Sequence, residues 1–200
     1  MTTSRATGNP IGLFDAHEDV GESPRKGSVE HVAGAYRVTG GGANMWGRQD
    51  AFHFVWKRWV GDVTLQADVD FVGAGVEPHR KAALIIRQDL TPGSAYVDAV
   101  VHGDGLTSLQ YRATAGAETS ERRAGVTGAR RLRLERRNNR FTLMAGAPGQ
   151  TLVPCGPELV EMSGPVYVGL AVTSHNAQLL ETASFSELLL ERPRPPVAAS

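Results

Sequence analysis

Turn-forming clusters break this chain into short pieces. Gly40-Gly41-Gly42, Val60-Gly61-Asp62, Gly73-Ala74-Gly75, Thr91-Pro92-Gly93, Gly103-Asp104-Gly105, Asn138-Asn139 and Pro148-Gly149 leave little room for long elements between them. A helix needs an apolar period of three to four residues sustained over several turns. No window here shows one, because Gly and β-branched residues interrupt every candidate. Only 157–162 has room for a single helical turn. Short segments with period-two patterning and regular turn signals predict a sandwich or a barrel.

The strands can be read individually. In Val63 to Phe71, Val63, Leu65, Ala67, Val69 and Phe71 alternate with Thr64, Gln66, Asp68 and Asp70, so one face is core and the other wet. Ala82 to Ile86 is apolar on both faces, as in a central strand covered on both sides. Tyr96 to His102 and Thr107 to Arg112 flank a Gly/Asp turn and form a hairpin. Leu132 to Arg136 and Arg140 to Met144 form another around Asn138-Asn139, where Asn tolerates the left-handed backbone such turns use. Val166, Val168, Leu170 and Val172 alternate along a late strand ending at Ser174-His175-Asn176.

With 200 residues and 41% hydrophobic content the chain can bury a core without staples. The reading is one sandwich domain over 11–192, a flexible start over 1–10 and a mobile Pro-rich tail over 193–200. Cys155 is the one cysteine, which excludes an internal disulfide and any cysteine-built metal cluster. Lys and Arg total 21 against 21 Asp and Glu, so no electrostatic draw toward nucleic acid or anionic membrane is expected. No apolar run is long enough for a membrane helix. The first residues lack the apolar core of a signal peptide, which makes cytoplasmic location the expectation.

Several segments carry a family resemblance. They are Gly42-Ala43-Asn44-Met45-Trp46-Gly47, Asp50 through Trp56, Gly61 through Leu65, Arg80-Lys81-Ala82, Ile86-Arg87-Gln88, Asp98, His102 through Gln110, Tyr167 through Leu170, Ser174-His175-Asn176 and Ala183 through Ser186. Together they resemble the bacterial concanavalin A-like family labelled "regulation of enolase" proteins, relatives of which also occur beside TolB-type propellers. The resemblance implies an all-β, two-sheet antiparallel jelly-roll sandwich. It implies little about activity.

The chemistry-bearing residues suggest binding more than catalysis. Glycosidases of the laminarinase type on such a fold carry Glu-x-Asp-x-x-Glu on one strand, and no such string occurs here. Asp15, Glu18, Asp19 and Glu22 cluster near the start in a loop-like context. They read as a solvated loop, or as a site where Asp15, Glu18 and Asp19 hold calcium or another divalent ion; no cofactor is otherwise required. Alternation puts Tyr96, Asp98, Val100 and His102 on one face, Arg87 on the face of Ile85, Ser108, Gln110 and Arg112 together, and His175 opposite the Val/Leu row. A face with those polar groups suits the concave side of a jelly roll, where sugar hydroxyls both donate and accept. Trp46 and Trp56 offer flat apolar surfaces for sugar rings. His53, His102, His175 and Asp98 have ligand chemistry for a transition metal but no supporting spacing. The Arg130–Arg140 cluster lines the wet face of a hairpin. Cys155 has no activating neighbour.

The expectation is therefore a glycan-binding domain whose ligand, a carbohydrate or small polar molecule, meets Trp46, His53, Trp56, Arg87, Asp98, His102, Gln110, His175 and Asn176. Its rivals are a sugar hydrolase or lyase using His and Asp with a divalent ion, and a cytosolic partner of metabolic enzymes.

Overall fold

A computed structural model describes residues 11–194, and every described regular element is a strand. In chain order they are β1 (Ala16–Val20), β2 (Ser28–Val32), β3 (Ala35–Gly40), β4 (Met45–Trp46), β5 (Gln49–Asp50), β6 (Phe52–Val60), β7 (Val63–Val72) and β8 (Lys81–Arg87). There follow β9 (Tyr96–His102), β10 (Thr107–Arg112), β11 (Ser120–Arg123), β12 (Arg131–Arg137), β13 (Arg140–Gly146), β14 (Val153–Leu159), β15 (Pro165–Thr173) and β16 (Glu181–Glu191). The expected flexible start, 1–10, and residues 195–200 of the expected tail lie outside the described residues. Within that tail Arg194 is placed, its carbonyl accepting a bond from the Arg137 guanidinium.

Two antiparallel sheets of seven strands stack face to face. The front sheet runs β1-β6-β15-β8-β9-β10-β11 and the back sheet β14-β13-β12-β7-β16-β3-β2. Strands consecutive in sequence often sit in different sheets, as a jelly roll demands. The alternation explains the core. Val63, Leu65, Ala67 and Val69 of β7 meet Ala82, Leu84 and Ile86 of β8, Val97 and Ala99 of β9, and Val166, Val168, Leu170 and Val172 of β15 in one cluster between the sheets. Each such fully buried large aliphatic contributes about 1.5–3 kcal/mol. The wet face of β12 is as expected: Arg131 pairs bidentately with Asp68 at 2.6 and 2.8 Å, and Arg133 donates to Gln66.

Three local readings change. The acidic segment read as a loop is mostly strand β1, paired with β6 from Ala16↔Trp56 to Val20↔Phe52. The segment allowed one helical turn is instead the end of β14 and the loop after it. Cys155 lies on β14 with its side chain in the inter-sheet core, its thiol donating to the Arg122 carbonyl at 3.5 Å.

The feature that shapes the site is the small hairpin β4–β5. It lies on the outer face of the front sheet, the face turned away from the back sheet. Met45 packs there with Phe52, Phe54, Ala83, Ile85, Tyr96, Val100 and Ala171 in a second apolar cluster. Asp50, beside it, accepts from two arginines of the sheet. Arg87 Nη1 donates to Oδ2 at 2.6 Å, and Arg112 grips both oxygens at 2.7 Å. All three side chains have zero exposure, so the hairpin is pinned by a buried charged triad.

Candidate functional site

The hairpin divides the outer face. One end is sealed beneath it. The other opens into a pocket of about 280 Å³ lined by Asn44, Trp46, His79, Lys81, His102, Leu106, Gln110, Glu121 and His175. That volume sits at the lower edge of the roughly 300–1,000 Å³ usual for small-molecule sites.

The pocket floor is a connected hydrogen-bond network. His102 Nδ1 lies 3.0 Å from the Leu106 carbonyl, which can only accept, so that nitrogen carries the proton. The unprotonated Nε2 then faces Gln110 Nε2 at 3.5 Å. This orients the amide: Gln110 Nε2 donates to Glu121 Oε1 at 3.0 Å, and Gln110 Oε1 accepts from Lys81 Nζ at 3.1 Å. Lys81 also donates to the Met45 carbonyl at 2.7 Å, tying the floor to the covering hairpin. Its ammonium lies 5.3 Å from the centre of the Trp46 ring. Ser108 Oγ and Arg123 Nε complete the shell of Glu121. Such a network holds its donors and acceptors in place before any ligand arrives.

Burial tunes the charges. It lowers the His102 imidazole to about 4, with Lys81 adding to the effect, so the ring is neutral at ordinary pH. It lowers His175 too, helped by Lys81 and His79. It lowers Lys81 against the pull of Asp98 and Asp50. For Glu121 burial acts upward, but bonds from Gln110, Arg123 and Ser108 outweigh it and hold the carboxyl below its usual range. His175 takes a left-handed backbone, φ 58°, just past the end of β15, where the chain turns its ring toward His79, 5.7 Å away between ring centres.

Of the residues expected to form one site, Trp46, His102, Gln110 and His175 do meet in this pocket. Arg87 and Asp98 point to the expected face but are sealed. Arg87 is consumed by Asp50 between the Phe52 and Tyr96 rings. Asp98 is fully buried, flanked on its own face by Tyr96 and Val100 of the Met45 cluster, and neither carboxylate oxygen has a hydrogen-bond partner. Trp56 is on the same face, but β15 and β8 separate its strand from β9, about 14 Å at ordinary strand spacing. Its indole is bonded to Glu18. His53 faces the opposite way, toward the back sheet, and binds Asp19 at 2.7 Å and His17 at 2.9 Å. Asn176 sits in a turn, with its amide committed to the Gln178 N–H and to Glu77.

The expected metal site does not assemble. Asp15 takes Lys57 and the Arg58 N–H, Glu18 takes Trp56 from the opposite side of β1, and Asp19 takes His53 and the Gly27 N–H. Among the described residues no group of three or more His, Cys, Asp or Glu side chains is placed to hold a metal ion. Of the transition-metal set, His102 and His175 share the pocket, while His53 is bound to Asp19 on the opposite face and Asp98 is sealed.

Asn44, His79, Lys81, Leu106 and Glu121 were not anticipated. Lys81 was within reach, because it alternates with Ala83, Ile85 and Arg87 on the same face. Glu121 was not, because β11, Ser120–Arg123, is a short polar edge strand with no apolar alternation.

The arrangement of strands defines a two-sheet antiparallel jelly-roll sandwich of the concanavalin A-like fold. No family model matches the chain, and no relative is found among curated proteins. Solved structures carry the likeness. A functionally unknown protein from Saccharomyces cerevisiae shares 16% identity at a TM-score of 0.70, over 94% of this chain and all of that one. The carbohydrate-binding module CBM66 from Bacillus subtilis shares 14% at 0.54, over 90% and 97%. The exoplasmic/lumenal domain of VIP36 in its Ca2+/Man-bound form shares 12% at 0.56, over 97% and 88%. At these identities the likeness concerns the fold.

Proposed function

We propose that this chain is a carbohydrate-binding domain and that the pocket beside the β4–β5 hairpin takes one sugar ring. The observation that carries the reading is the hydrogen-bonded floor of Lys81, His102, Gln110 and Glu121 beneath an indole, Trp46, that stays 40% exposed. Sugars need both halves of such a site: oriented donors and acceptors for hydroxyls and a flat surface for C–H groups. The fold supports the reading, since CBM66 is a carbohydrate-binding module and the VIP36 domain was solved in a Ca2+/Man-bound form. A hydrolase using paired carboxylates needs two acids flanking one bond. The pocket lining supplies one, Glu121, already held by three neighbours. No family model matches the chain, so the enolase-regulation resemblance carries no part of this reading.

The test is a glycan-array screen followed by calorimetric titration of the best monosaccharide. Trp46→Ala and Gln110→Ala should each weaken binding by about 5- to 150-fold, the equivalent of losing roughly 1–3 kcal/mol of contact. Trp56→Ala should leave it within about twofold. Equal losses at Trp46 and Trp56, or none at either, would place the sugar elsewhere.

A further inference from the structure

A second, larger cavity of about 740 Å³ lies next to the pocket, lined by Gly21, Glu22, Pro24, Ala43, Asn44, Gln49, Ala51, Pro92 and Ala177 with the backbone of Asp50. Three elements wall both cavities. Asn44 lines each of them. The segment after β15 gives His175 to the pocket and Ala177 to the groove. The β4–β5 hairpin does the same. Its paired residues Met45 and Asp50 point into the sheet, while the other pair, Trp46 and Gln49, faces outward, Trp46 to the pocket and Gln49 to the groove.

These walls are fixed to each other. Thr173 and Ser174 hydroxyls donate to the Gly42 carbonyl at 3.2 and 3.3 Å, joining the 173–177 segment to the strand of chain that leads to Asn44. Asn44 Oδ1 accepts from its neighbour Met45 N at 2.8 Å, which turns the amide so that Nδ2, with no partner among the described residues, is left for a ligand. The groove is not a bare apolar slot. Apolar faces from Pro24, Ala43, Pro92 and Ala177 line it together with the amides of Asn44 and Gln49 and the carboxylate of Glu22, a mixture that suits a sugar ring with its C–H faces and hydroxyl rim.

We propose that the two cavities form one continuous site for an oligosaccharide of at least two rings, with the first ring in the Trp46 pocket and the next crossing Asn44 into the groove. This rests on the carbohydrate reading of the pocket and extends it from a single ring to a chain. The groove occupant is thus the continuation of the ligand itself.

The test is calorimetric titration of the whole protein with one-, two- and three-ring members of the mannose, glucose, galactose and fructose series. In the series that binds, the second ring should raise affinity at least tenfold. Ala43→Trp, at an exposed position, and Ala177→Trp would fill the groove. Each should abolish that gain while leaving one-ring affinity within twofold and the melting temperature unchanged. If only longer chains bind detectably, the same two variants should abolish their binding. A one-ring affinity that does not grow with length, or a gain that survives both tryptophans, overturns the extended site and leaves the pocket reading standing. Failure of every member of every series overturns both.

Discussion

The outer face of the front sheet has two ends built from similar residues with opposite fates. At one end Arg87, Asp98 and Arg112 are sealed under the β4–β5 hairpin with zero exposure. At the other Lys81, His102, Gln110 and Glu121 floor an open pocket. Both ends alternate correctly and both are rich in charge. The difference is the hairpin. At the sealed end Asp50 of the hairpin satisfies Arg87 and Arg112 and holds the cover in place, while Asp98 is buried beside them without a hydrogen-bond partner. At the open end the network borders the pocket, so a ligand can add bonds to it. A polar sheet face is thus a binding surface only where nothing in the chain has already filled it.

The comparison can be broken most forcefully at Asp50. Asp50→Ala leaves two buried guanidinium groups without their anion, an uncompensated burial that costs about 3–5 kcal/mol. Chemical denaturation should show that loss, with the hairpin amides exchanging fastest. A variant as stable as the parent would mean that the triad does not pin the cover.

The next test sharpens the sealed end. Burial raises the Asp98 carboxyl from 3.8 to about 8, with Lys81 opposing it. The folded state therefore holds its proton over a range in which the unfolded chain has released it. A raised folded pKa contributes stability that is full below about pH 4 and lost as pH rises toward 8. Asp98→Asn removes that loss. The variant should gain on the parent by at least about 1 kcal/mol between pH 5 and pH 8, measured by parallel melts. A gain independent of pH would show that Asp98 is charged throughout.

The smallest expected effect lies outside both ends. Cys155 lines the inter-sheet core rather than the pocket, its thiol meeting the Arg122 and Arg123 carbonyls on the core side of β11, and burial pushes that thiol up, away from reactivity. Cys155→Ser should cost about 1 kcal/mol of stability through burial of a hydroxyl in place of a soft apolar sulfur, and it should leave sugar binding unchanged. A large loss of binding would show that the core contact with the β11 backbone helps to place Glu121.

Much of the fold was legible because it is local. Val63–Val72 and Pro165–Thr173 declare their faces by alternation, and Asn138, with φ 53°, closes its hairpin as Asn can. Strands β1, β2 and β11 were silent because edge strands with polar residues lack a two-faced pattern. His102, Gln110 and His175 were found by the same alternation that put Arg87 and Asp98 on the right face but could not see their cover. Period two reports which way Arg87 and Asp98 point, and it says nothing about what lies above them.

The amino-acid order by itself determined an all-β chain, two of its hairpins, the core rows and the face on which the site would lie. These follow from backbone geometry and from burial, both set by near neighbours. Tertiary structure alone decided that residues 45–50 fold back over that face, that Asp50 meets Arg87 and Arg112 across 37 and 62 residues, and that Lys81, Gln110 and Glu121 converge from three strands. Those contacts join segments distant in the chain, and the chain is driven to make them because a buried guanidinium must find its anion wherever the fold places it.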